Sequence, residues 1–475
     1  MVRKSVIQYF LFECALVSIV LFMVFQPIEK DVIVTVESGI GLLSIINLLI
    51  YAFLHKNHTG HIISIATLFL IFMYLFNLGI PISRLLGWIS ESEERFLERR
   101  IYSMGAETFA EYLGYVFSLI SFLQVGLYNY ITQRGKEEYL ENVQNCDFNA
   151  ARSVSTILMG MGIVPYAYQE FATIRNAIKY VYQERNTDFS LAGTGIGLLA
   201  GLFMIGYIMR MIAYQEQKHK FDAMFFIMFA YQAIRMYVTG DRSTGVALIL
   251  VMLLMRHEFV QPIRRIHGLI YACGAYAAML MLKVIEITRS IDNYVLTDMI
   301  QTVSQNNALA ETVNEYGGNV WCGMMVYYAV PATGGFRCGL TYLAAIVGKP
   351  LQILGFSNEV WKFADFSYFL QDEARGTLIN SLTAAMGGSF SGEWYYNFGW
   401  IGILLIPIFG HYLGKFSDGC VNKKANPVVA AFLLYTATLV LWWVRQYFTS
   451  VSWATMFGGV VTWIVYSIVH RRMNG

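Results

Sequence analysis

The sequence predicts an all-α polytopic membrane protein of about twelve transmembrane helices with a large extracytoplasmic loop. Three observations carry this. Composition is 56% apolar and 15% aromatic but only 14% charged, against roughly 25% charged in soluble proteins. Apolar runs of membrane length recur from end to end, and in hydrocarbon a helix satisfies its own backbone. The rhythm of those runs breaks decisively over residues 286–397. Net charge is +2, so no basic field points to nucleic acid.

In chain order, spans read at about 6–26, 34–54, 62–81, 108–131, 152–174, 193–213, 222–239, 243–256, 267–285, 398–415, 427–446 and 451–469. The opening Met-Val-Arg-Lys before an apolar run has the look of a signal peptide. No small-residue cleavage site follows, and residues 14–25 read better as the first retained span. The run 243–256 is short and reads with 222–239 as a bent hairpin. Residues 152–192 are polar for a span, with Pro165, Gln169, Glu170, Arg175 and Lys179. They fit either a span that continues beyond the membrane as a helix or a polar helix lining a cavity. Three regions result: a bundle of about nine spans over 1–285, the loop 286–397, and about three spans over 398–475.

Charge placement orients the chain. With both termini in the cytoplasm, the inside segments are nearly all basic, among them 134–147, 215–220, 256–267 and 415–426. The dissenting segment is 82–106, where Arg84, Arg95, Arg99 and Arg100 mix with Glu91, Glu93, Glu94 and Glu98, as on a solvated surface helix. All eight histidines fall on or near the cytoplasmic side. Chemistry on the far side would therefore use neither a histidine base nor a histidine ligand.

The loop 286–397 holds two short apolar pieces, 320–331 and 338–354, which read as re-entrant or interface-lying helices. Cys322 and Cys338 both fall in it and either form a bridge or remain free, buried thiols; Cys146 and Cys420 read as residues of cytoplasmic loops. No metal spacing of the CxxC or HxxxH kind occurs. The acidic pair Glu29 and Asp31 reads as a polar turn. No internal repeat is evident, which weakens a transporter built on inverted halves.

The stretch 387–402 is rich in glycine and aromatic residues, carries the single charge Glu393, and runs straight into an apolar segment. It fits an interfacial aromatic belt, or rings and a carboxylate arranged for a sugar and its hydroxyls. Arg235, Arg242, Arg289, Arg337, Arg375 and Arg445 lie at membrane depth or on the predicted outer side. Taken singly, each fits snorkelling or pairing with an acid such as Asp241. Gathered above an apolar floor, they fit a phosphate or diphosphate on a lipid. Glycosyl transfer from such a donor needs a carboxylate for the acceptor proton and positive charge for the leaving group. Glu393, Asp241 and Glu315 are the available acids, and arginine takes the place of a metal.

Three blocks resemble the O-antigen polymerase (Wzy) family, the oligosaccharide repeat-unit polymerases of bacterial envelopes. The first is Thr239-Gly-Asp-Arg-Ser243. The second runs from Glu315-Tyr-Gly-Gly318 through Val330-Pro331 to Phe336-Arg-Cys-Gly339-Leu-Thr-Tyr-Leu343. The third and most telling is 387–402, with its Ser391-Gly-Glu-Trp-Tyr-Tyr-Asn-Phe-Gly-Trp-Ile-Gly402. Together they cover about 239–415. The resemblance implies a GT-C-like membrane fold without a metal or other cofactor. It implies oligosaccharide repeat units on undecaprenyl diphosphate as donor and acceptor, joined at the outer face of the bacterial cytoplasmic membrane into an O-antigen or capsule type of polysaccharide. A chain-length regulator and a flippase are the implied partners.

On that reading Arg242 and Arg337 bind the diphosphate, with Arg289 and Arg375 beside them. Glu393 is the general base or positions the acceptor hydroxyl. Trp394, Tyr395, Asn397 and Tyr342 hold sugars, with Glu315 and Asp241 as further binding groups. Two other readings stand beside it. A lipid-linked oligosaccharide flippase would move substrate without joining it. An O-antigen ligase would give one product size, but such ligases look to an outside histidine, and none is predicted there.

Overall fold

The computed structural model describes residues 2–27, 30–133, 148–179, 195–239, 243–262, 307–333, 335–353, 359–370, 387–422 and 426–474. Its helices in chain order are α1 (Val2–Val24), α2 (Lys30–Thr59), α3 (Ile65–Leu85), α4 (Glu91–Phe96), α5 (Ala106–Gln133) and α6 (Phe148–Lys179). Next come α7 (Gly195–Ala213), α8 (Lys218–Thr239), α9 (Ser243–Met255), α10 (Ala308–Gly317), α11 (Val320–Ala329) and α12 (Leu340–Ile353). The last are α13 (Glu359–Ala364), α14 (Phe390–Phe398), α15 (Gly402–Val421), α16 (Pro427–Trp443) and α17 (Phe448–Asn474). No strand occurs among the described residues.

Among the described residues, seven segments are long and apolar enough to cross a membrane: Lys4–Val24, Val32–Thr59, Ile65–Leu85, Ala106–Gln133, Gly195–Ala213, Phe390–Val421 and Phe448–Met473. Pro427–Trp443 is apolar but shorter. The sequence places spans at α6, α8 and α9 too; helices form there without meeting that measure, and the span expected at 267–285 lies outside the described residues. The two short apolar pieces of the loop are helices, α11 and α12. One boundary moves. The span expected from 398 is joined at its start by α14, so the helical segment begins at Phe390. Ser389 sets that start by accepting a hydrogen bond from the Gly392 N–H at 3.2 Å. Cys420, expected in a loop, is fully buried in the last turn of α15.

The chain divides into two compact units. The first comprises Met1–Leu140, Asn306–Phe416 and Trp443–Thr449. Its central helix is α5, whose apolar window is 89% buried. Polar side chains join α1, α2, α3 and α5 inside it. Asn47 donates to Glu13 at 3.0 Å and to Ser121 at 2.9 Å, while Tyr9 and Tyr74 share the Gln124 amide. Interhelical hydrogen bonds of this kind hold spans that hydrophobicity cannot hold together in lipid. Helix α10 docks on α3 where Gly79 meets Gly317; a Cβ on Gly79 would lie 2.8 Å from the Gly317 Cα.

The charged stretch before α5 is only partly the solvated helix its sequence predicts. Ser90 and Glu93 form a capping box for α4, and Arg95 and Glu91 pair in the open. Arg84, however, turns inward. It bonds Glu37, which is 0% exposed, at 2.9 Å, and also holds Glu94 and the Tyr102 hydroxyl. Tyr102 donates to the other Glu37 oxygen at 2.6 Å.

The second unit comprises Glu141–Gln305, Ser417–Trp442 and Ser450–Gly475. Helices α6 and α7 form its main pair, with Tyr166 stacked on Phe203 at 4.7 Å. Helix α6 runs unbroken through Pro165. Its Glu170 receives Arg235 at 2.8 Å and the Tyr231 hydroxyl at 2.6 Å. Arg235 thus takes the pairing role left open for it, with an acid other than those near it in sequence.

Candidate active site

Helix α14 is the hub of the first unit, and Phe390, Ser391, Gly392, Glu393, Trp394, Tyr395, Tyr396 and Asn397 are all buried. It ends at Gly399, whose φ of +56° is a left-handed value that side chains resist. A Cβ there would also meet the Phe336 ring at 2.6 Å. Trp394 spans the bend by donating its Nε1–H to the Gly402 carbonyl at 3.0 Å.

Glu393 is 1% exposed. Its Oε2 accepts the Trp443 indole N–H at 2.9 Å and the Phe448 backbone N–H at 3.0 Å, and its Oε1 lies 3.2 Å from the same N–H. The Tyr342 ring covers this group, edge-on to Phe448 at 5.1 Å and to Trp443 at 6.3 Å. Residue 393 therefore fastens α14 to the turn between α16 and α17.

A second face of α14 receives the Arg337 turn. The Arg337 N–H donates to the Tyr396 carbonyl at 3.0 Å, and the Cys338 N–H to the Asn397 carbonyl at 2.7 Å. Cys338 has a φ of +49°, an unusual value for a residue with a Cβ, which the two backbone bonds hold in place. The Arg337 guanidinium donates from Nε to the Tyr396 hydroxyl at 2.8 Å and lies between the Phe363 and Tyr396 rings, 5.5 and 5.4 Å from their centroids. Asn397 accepts from Thr341 at 2.8 Å and donates to the Glu393 carbonyl at 2.9 Å. The second and third sequence blocks thus meet at one helix.

The third face is aromatic. Tyr395 packs against Tyr327 at 4.7 Å, Tyr115 at 5.0 Å and Phe336 at 5.4 Å; Trp400 lies 5.3 Å from Tyr115. The Tyr327 hydroxyl donates to Glu111 Oε2 at 3.1 Å. Burial, and then Glu111 beside it, raises the Tyr327 phenol well above its ordinary range, so it stays a donor. Glu111 is half-buried, and among the described residues only its Oε2 accepts a hydrogen bond. The sequence reading missed this residue. The signal was there: a lone acid near the end of a predicted span, in Ala-Glu-Tyr-Leu-Gly-Tyr.

The other expected site residues divide in two. Glu315 is exposed on α10. Arg242, Asp241, Arg289 and Arg375 lie outside the described residues. Arg445 is half-buried in the turn after α16, with its guanidinium 6.0 Å from the Phe76 ring and its backbone near Gly387.

The family model of O-antigen polysaccharide polymerase Wzy matches residues 6–473, nearly the whole chain. The chain belongs to this family. The assignment carries O-antigen repeat-unit polymerisation, a glycosyltransferase-like activity, on a multi-pass helical membrane protein. No curated protein and no solved structure matches the chain. The match reaches well beyond the three motif blocks to α1 through α5 of this Wzy-family protein, and so takes in Glu111.

Proposed function

We propose that this Wzy-family protein joins oligosaccharide repeat units carried on undecaprenyl diphosphate, at the outer face of the bacterial cytoplasmic membrane. The product is a surface polysaccharide of O-antigen or capsule type. An acceptor sugar hydroxyl attacks the anomeric carbon of the donor. The new carbon–oxygen bond forms as the bond to the diphosphate breaks, the diphosphate leaves with the electron pair, and a carboxylate takes the hydroxyl proton. Guanidinium charge rather than a metal stabilises the leaving group.

The observation that best supports this is the docking of the Arg337 turn on α14 through two backbone hydrogen bonds. It puts a cation, within 5.5 Å of the Phe363 and Tyr396 ring centroids, against the same helix as Tyr395 and its aromatic neighbours. In this proposal Arg337 meets the diphosphate, with Arg242, Arg289 and Arg375 as its companions. Tyr395, Trp394, Asn397 and Tyr342 shape the sugar side, and Glu315 and Asp241 are outer polar contacts.

Two carboxylates compete for the proton. Glu393 has both oxygens engaged by Trp443 and Phe448, which favours a positioning role. Glu111 has an oxygen that is unoccupied among the described residues, beside the same aromatic face, which favours it as the base. Purified protein in lipid, given lipid-linked repeat units, should build a ladder of glycans. A single product size would favour a ligase, and transport without joining would favour a flippase.

A further inference from the structure

In the second unit three helix ends meet around one tyrosine. Tyr214 lies in the turn between α7 and α8. Arg152 from the first turns of α6, Arg210 from the last turn of α7 and Lys220 from the first turn of α8 surround its ring, 5.5, 5.9 and 5.2 Å from the centroid. We propose that this cradle binds the phosphate of an anionic membrane-lipid headgroup.

The first argument is charge. None of the three cations pairs with a carboxylate among the described residues. Arg152 donates to the Ala213 carbonyl at 3.3 Å, Arg210 donates to the Thr156 hydroxyl, and Lys220 has only the ring. The nearby acids among the described residues do not neutralise them. Asp222 is held by Arg256 at 2.9 Å. Glu216 is exposed in the same turn and makes no ion pair among the described residues. Three like charges on one ring repel, and an anion between them removes that cost.

The second argument is an unmet hydrogen bond. Arg152 Nε is buried and has no acceptor among the described residues. A buried donor without a partner is costly. A phosphate takes guanidinium donors in pairs, and Nε is one of the two that a bidentate contact uses.

The third argument is place. Helix α7 is one of the seven membrane-length segments, and it ends at Ala213, one residue before the ring. The cradle therefore lies where a span leaves hydrocarbon. This is also the end at which the pattern of basic segments puts the cytoplasm. Basic pockets between spans at that level take lipid phosphates. An aromatic ring at the same depth suits the headgroup layer.

The test uses the purified full chain in detergent, titrated with phosphatidylglycerol or phosphatidylcholine and read by native mass spectrometry. The wild type should retain one phosphatidylglycerol several-fold more tightly than phosphatidylcholine. Lys220→Gln should weaken that retention by about fivefold, on the order expected for one cation near a lipid surface. Arg210→Gln should do the same. Lys415→Gln, an exposed lysine on α15, should leave it unchanged. Equal losses in Lys220→Gln and Lys415→Gln would overturn the proposal, because attraction would then be general. So would displacement of the lipid by inorganic phosphate at equal concentration, which would make free phosphate the ligand. Lys220 is exposed, so its replacement tests the site without challenging the fold.

Discussion

The Trp443 indole N–H donates to Glu393 Oε2 at 2.9 Å, joining two residues fifty positions apart. With the Phe448 N–H on the same carboxylate, this contact fixes how α14 stands against the end of α16 and the start of α17. A carboxylate that is 1% exposed survives there because donors surround it. Glu393→Ala strands both donors and should lower stability by about 3 kcal/mol; Trp443→Phe should cost about 1–3 kcal/mol. Thermal unfolding in detergent measures both. An unchanged melting temperature in Glu393→Ala would refute the bracing role.

Glu111 should behave differently. It is half-buried, and Glu111→Gln keeps an oxygen for the Tyr327 hydroxyl. The variant should insert and melt like wild type yet form polymer about 10²–10⁴ times more slowly, the range for loss of a general base. A full-length ladder at the wild-type rate would remove Glu111 from the chemistry.

Arg337 should not tolerate lysine. The ammonium keeps the charge but loses both the guanidinium contacts with the Phe363 and Tyr396 rings and the Nε bond to the Tyr396 hydroxyl. Arg337→Lys and Arg337→Ala should both lose long chains, with protein levels held near wild type. Normal chain length in Arg337→Lys would mean that any cation suffices at this position.

The two thiols of the central segment should differ sharply. Cys338 is exposed and Cys322 is buried, and neither is in a disulfide. Burial pushes the Cys322 thiol up to about 11, with Arg445 pulling weakly the other way. A raised value means less thiolate at any pH below it. At pH 8 a maleimide should therefore label Cys338 and spare Cys322, which should react only once the protein is unfolded. Equal labelling of both at pH 8, or a mobility shift on reduction that marks a bridge, would contradict this.

Much of the fold could be read from residue patterns. The membrane-length segments α1, α2, α3, α5, α7 and α17 follow from unbroken apolar runs, and α11 and α12 from short ones between glycines and prolines. The aromatic stretch 387–402 was legible as a centre because one charge among rings is rare. What it does with that charge was not. The partners of Glu393 come from positions 443 and 448, and no periodicity links them to it. Glu111 does not stand out in the sequence, because an acid near the end of a span also suits the water boundary. Its meaning depends on Tyr327, 216 positions later. The start of α14 was misjudged because Gly-Gly-Ser-Phe-Ser-Gly looks like loop, whereas Ser389 turns it into a helix cap.

The Phe448 N–H that Glu393 holds belongs to the first residue of α17, 55 positions further on. A ribosome therefore delivers this acid well before either of its donors. A nascent chain halted in that interval would carry an uncompensated acid in an apolar setting. A buried acid without its donors is costly, so a stop codon before residue 443 should leave less folded protein than one placed after residue 448.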